Sequence, residues 1–90
     1  MDEELKAIYN KALNTYGINA QLSIIIEECG ELITEITRIK RGRTTKEKII
    51  TELADVQIMI EQIAFYYGLD NFLKEKNRKL RRLVERLNKQ

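Results

Sequence analysis

Two acidic strings carry the residues best suited to chemistry, Glu27-Glu28-Cys29-Gly30-Glu31 and Glu52-Leu53-Ala54-Asp55. Residues three apart on a helix share a face, so each string can present a pair of carboxylates in one direction. Four ionised carboxylates in one cleft repel, which raises one or more pKa values or opens the cleft. A divalent cation removes the conflict. The chain has no His and a single Cys, Cys29, so zinc is a poor match and an all-oxygen site selects a hard ion, Mg²⁺ first and Mn²⁺ second. Mg²⁺ held by a few carboxylates typically completes its shell with water and substrate phosphates.

A basic string is the counterpart, Glu75-Lys76-Asn77-Arg78-Lys79-Leu80-Arg81-Arg82. On a helix Lys76, Lys79 and Arg82 share a face and can meet phosphate oxygens. The net charge of +2 conceals this asymmetry. Residues 1–35 hold seven acids and two bases, whereas residues 74–90 hold eight bases and two acids. Taken alone, the basic run is equally a solvated helix face or a nucleic-acid-binding surface. Beside a metal cluster it suggests a polyphosphate ligand.

The elements that must position these groups are helices. Gly17, Gly42 and Gly68 each follow a periodic segment, as a glycine ending a helix does. The pattern predicts an all-α fold of four helices over 3–16, 18–41, 45–67 and 69–88, in one domain spanning 1–90. Thr44 or Thr45 is placed to cap the third helix and Asp70 the fourth. The link from Lys40 to Thr45 is short, so the second and third helices are expected antiparallel, with the two acidic strings at similar heights. In the second helix Leu22, Ile25, Ile26, Cys29, Leu32, Ile33 and Ile36 fall in one arc and Glu27, Glu28, Glu31 and Glu35 in the opposite one. By itself that is a core face and a solvated face. The third helix is apolar nearly all round, with Ile49, Leu53, Val56, Ile60, Ile63, Ala64 and Tyr67 on one face and Ile58, Met59, Phe65 and Tyr66 elsewhere. Glu52 and Asp55 on such a helix need partners, either a surface pairing with Lys48 or a site. Gly30 interrupts the second helix, a position that marks a close approach or a ligand.

Composition narrows the class. Charged residues make up 33% and hydrophobic ones 43%, with no Pro, which is a helical rather than a disordered composition. The apolar run around Leu22 to Ile26 is too short to span a membrane. The acidic start, Met1-Asp2-Glu3-Glu4, is unlike a secretion signal, so a cytoplasmic setting is expected. A chain of 90 residues without a disulfide depends on tight helix packing or on association.

Taken in order, these strings match a known pattern. Ile26-Glu27-Glu28-Cys29-Gly30-Glu31-Leu32, then Glu52-Leu53-Ala54-Asp55-Val56 after a gap of 20 residues, resembles the paired EExxE and ExxD motifs of the MazG-like all-α nucleoside triphosphate pyrophosphohydrolases. Tyr16-Gly17-Ile18-Asn19-Ala20-Gln21-Leu22 looks like the aromatic-Gly then Gln segment before EExxE. Asn77-Arg78-Lys79-Leu80-Arg81-Arg82 looks like the Asn-x-Lys-x-x-Arg segment after ExxD. The resemblance covers residues 9 to 83. It implies hydrolysis of a (deoxy)nucleoside triphosphate between the α and β phosphates, giving a monophosphate and pyrophosphate. It implies Glu28, Glu31, Glu52 and Asp55 as Mg²⁺ ligands. Glu27 is then an outer or additional metal carboxylate, or the base for the attacking water. Asn77, Lys79 and Arg82 are implied at the phosphates or sugar, and Tyr16 and Gln21 are candidates for the base pocket. The family's small members assemble as dimers or larger, which fits the all-round apolarity of 49–67. The basic loop Arg38 to Lys46 departs from the pattern; it adds phosphate contacts or is plain surface.

Two other classes compete, a small helical nucleic-acid-binding or regulatory module using the basic C-terminal helix, and a helical oligomerisation domain. An acid cluster on central helices repels a nucleic-acid backbone unless metal is bound, which disfavours the first.

Overall fold

The computed structural model describes residues 1–90 as three helices with no strand. Asp2 starts α1 (Glu3–Tyr16) by accepting the Leu5 N–H at 2.7 Å. Gly17, at φ 85°, turns the chain into α2 (Ile18–Lys40) while its N–H bonds back to the Leu13 carbonyl. α2 ends at Gly42, φ 66°, where the Gly42 N–H bonds Ile39 O and the Arg43 N–H bonds Arg38 O. That pair of bonds is the Schellman arrangement, and it needs the left-handed conformation glycine tolerates. Thr45 then caps α3 (Lys46–Asn88), accepting the Lys48 N–H at 3.3 Å.

The four expected helices appear as three elements, because the last two meet at a kink and count as one. The predicted third and fourth helices are the two arms of α3, which meet at a kink at Gly68, and Asp70 lies within the second arm. Gly68 is the one non-helical residue within α3, at φ 141° and ψ 92°. A straight helix of 43 residues would measure about 65 Å, but the molecule is 42 Å along its longest axis. α3 therefore bends sharply at Gly68, and Phe72, Leu73 and Lys76 line the same depression as Gln57, Ile60 and Glu61. No helix is long and apolar enough to cross a membrane.

The α2–α3 contact combines apolar residues such as Ile25, Ile60 and Ile63 with buried polar ones. Gln21 donates to Gln62 at 2.9 Å, which fixes an antiparallel register. One residue forward on α2 then matches one residue back on α3, so Glu28 stands level with Asp55, Glu31 with Glu52, and Glu35 with Lys48. α1 docks through the Tyr9 hydroxyl, which donates to Glu61 Oε1 at 2.6 Å. Burial and this bond to a carboxylate both hold the phenol in its neutral form.

The expected core face of α2 is corrected by this packing. Leu22, Ile25, Cys29 and Leu32 are half-buried, but Ile26 and Ile33 are 71% and 65% exposed. Glu35 is buried and Glu28 half-buried instead. The inward face of α2 lies between its apolar and acidic arcs, because the helix meets α3 along the Gln21–Glu28–Glu35 line. On α3, Val56, Met59 and Ala64 are buried, while Leu53, Ile58, Tyr66 and Tyr67 remain open to solvent. Gly30 marks no close approach, since a Cβ placed there meets nothing within 4 Å.

Candidate metal centre

Glu28 and Glu31 project from one turn of α2 and Glu52 from the facing turn of α3. One carboxylate oxygen from each lies within 4.8 Å of the others. Their surroundings differ. Glu52 is almost wholly buried, Glu28 is half-buried and Glu31 faces solvent. Two oxygens in this group, Glu28 Oε2 and Glu52 Oε2, are buried without a hydrogen-bond partner. A buried polar oxygen with no donor is costly, and a concentration of them at one point is the arrangement a cation relieves.

Electrostatics agree with the geometry. The Glu28 carboxyl is pushed above the ordinary carboxylate range, first by loss of water and then by the negative charges of Glu31, Asp55, Glu52 and Glu27. Asp55 is thus part of the field on Glu28, although it lies outside the compact three-carboxylate group. The only cation in contact is Lys48, whose Nζ is 3.2 Å from Glu52 Oε1. That bond holds the Lys48 ammonium above its usual range. The surface pairing weighed from the sequence is therefore made, but to a buried carboxylate.

One turn further toward the loop, Glu35 is a different kind of acid. Its Oε1 accepts from Arg38 at 2.7 Å and its Oε2 from the Thr44 hydroxyl at 2.8 Å. The Thr44 bond, followed by Arg38, holds this carboxyl below the ordinary range. Both oxygens have a donor, so Glu35 pins the α2–α3 loop.

The remaining predicted residues are dispersed. Glu27 is exposed, next to Glu28 but outside the three-carboxylate group. Tyr16 is exposed at the end of α1. Gln21 is buried against Gln62, two turns of α2 from Glu28, and its Oε1 has no partner. Asn77, Lys79 and Arg82 are exposed beyond the bend, and no hydrogen bond or ion pair joins them to the carboxylates. Lys79 and Arg82 line one depression with Arg86. Neighbouring Glu75 is taken up by Arg78. Sequence reasoning missed the anchoring roles of Glu35, Glu61 and Gln62; Glu61 and Gln62 carried a signal, as an acid and an amide on a helix with little solvated face, whereas Glu35 lay in the acidic arc of α2 and carried none.

No protein-family model matches the chain, and no curated protein or solved structure matches it.

Proposed function

We propose that the chain is a Mg²⁺-dependent nucleoside triphosphate pyrophosphohydrolase of the MazG-like kind. The observation that carries this is the convergence of Glu28, Glu31 and Glu52 from two helices within 4.8 Å, with two buried oxygens left unpartnered. The donor set fits the ion, being all carboxylate, with Asp55 level with Glu28 to complete it. Mg²⁺ bound there would neutralise phosphate charge and lower the pKa of a bound water. The chain's own part is to hold the four carboxylates on two packed helices and to keep Glu27, exposed at the rim, as the candidate acceptor of the water's proton.

Lys79 and Arg82, with Asn77 nearby, supply anion-binding capacity. They stand apart from the carboxylates in one chain, so this function calls for a second copy to complete the site. The exposed apolar residues Ile26, Ile33, Leu53 and Ile58 support such a homo-oligomer. Tyr16 and Gln21 remain the base-pocket candidates, Gln21 through its unpartnered oxygen.

A second function, nucleic-acid binding, is favoured by one observation, the exposed Lys79, Arg82 and Arg86 patch. One assay separates the two. The protein is incubated with each ribo- and deoxyribonucleoside triphosphate, with and without Mg²⁺, and pyrophosphate is measured. Mg²⁺-dependent release supports the enzyme. No release with any nucleotide, together with salt-sensitive binding to DNA or RNA, supports the module.

A further inference from the structure

Lys48 sits where helix physics does not favour a cation. It is in the first turn of α3, three residues after the Thr45 cap, at the end of the helix dipole that attracts negative charge. Its pairing with Glu52 also runs Lys-before-Glu, the weaker order for an i, i+4 pair. What holds the ammonium is the carboxylate cluster itself. Glu52 Oε1 is 3.2 Å away, on a side chain only 5% exposed. Arg38 is committed to Glu35, and no other Lys or Arg makes an ion pair with Glu28, Glu31 or Glu52. The Lys48 side chain is itself 52% exposed, so it can swing away.

We infer that Lys48 is the resident counter-cation of the Glu28–Glu31–Glu52 cluster, and that a divalent ion entering the cluster must work against it. Lys48 thereby sets the concentration at which the site loads. The inference rests on the metal centre proposed above. In the metal-free protein Lys48 occupies one oxygen of Glu52, and Glu52 Oε2 is left buried and unpartnered for the incoming ion. A unit charge roughly 6 Å from a divalent ion shifts its affinity by about tenfold even at the dielectric of water.

The test is calorimetric titration of Mn²⁺ into the full chain, its Lys48→Gln variant and its Lys48→Arg variant, each confirmed folded by circular dichroism. Lys48→Gln is expected to bind Mn²⁺ about tenfold more tightly than the parent, and Lys48→Arg, which keeps the charge, within about twofold of it. Binding by Lys48→Gln alone gives the same answer in stronger form. Unchanged or weaker binding by Lys48→Gln overturns the counter-cation role while leaving the metal centre standing. Absence of binding by all three chains overturns the metal centre, and the role of Lys48 with it.

Discussion

Gln21 donates from Nε2 to Gln62 Oε1 at 2.9 Å, and this contact lies on the same helix line as the carboxylates two turns away. Both side chains are buried. The pair therefore bears on the register that brings Glu28 level with Asp55 and Glu31 level with Glu52. Truncating Gln62 to Ala strips the Gln21 amide of its acceptor inside the interface. That is expected to cost about 1–3 kcal/mol in urea unfolding. Replacing both residues by Leu costs less than the two single Leu replacements added together, because no orphaned amide remains.

Glu28 is held above the ordinary carboxylate range by desolvation and by four acidic neighbours. Glu28→Gln relieves that repulsion while keeping the shape. In the metal-free protein its melting temperature is expected to rise. Adding Mg²⁺ should raise the melting temperature of the parent, by mass action on the folded state, and leave Glu28→Gln nearly unchanged. An equal Mg²⁺ response in both proteins argues against Glu28 as a ligand.

Glu35 moves with pH in the opposite sense. Its carboxyl is held below its ordinary value of 4.5 by Thr44 and then Arg38. The folded state therefore favours the ionised form. The stability this contributes is fully present above pH 4.5 and is lost as pH falls through the lowered folded value. Glu35→Gln cannot lose it. The stability gap between parent and variant should be constant near neutrality and shrink on acidification below 4.5, as read from urea unfolding at stepped pH.

Gly30 and the apolar residues beside it test association. Gly30 lies on the outer side of α2 between Ile26 and Ile33, with open space where a Cβ would stand. In a lone chain Gly30→Ala should stabilise the helix by about 1 kcal/mol. Ile26→Lys with Ile33→Lys should convert a dimer to a monomer in sedimentation velocity without loss of helicity. A parent chain that sediments as a stable folded monomer at micromolar concentration contradicts the association proposed here.

The sequence made the helix ends legible wherever glycine chemistry decides them. Gly17, Gly42 and Gly68 all have positive φ, and Thr45 caps α3. The antiparallel pairing of the acidic strings was also readable, because it follows from one short loop. Periodicity misjudged the inward face of α2. It assumes that apolar residues turn inward, whereas α2 meets α3 along Gln21, Glu28 and Glu35 and leaves Ile26 and Ile33 outside. The break at Gly68 was visible, because its φ of 141° lies where glycine alone is comfortable, but the direction of the kink was not. Of the site, three carboxylates came together as their spacing implied. The dispersal of Asn77, Lys79 and Arg82 was not legible, since it depends on the bend at Gly68, and Tyr16 stands exposed at the far end of α1.

The most direct measurement is the ³¹P spectrum of a nucleoside triphosphate incubated with the protein and Mg²⁺, with Glu52→Gln run alongside. The triphosphate resonances are expected to give way to those of a monophosphate and pyrophosphate. No such change is expected with Glu52→Gln or without metal. Formation of a diphosphate and orthophosphate, or turnover that survives Glu52→Gln, would contradict pyrophosphohydrolysis at the Glu28–Glu31–Glu52 cluster.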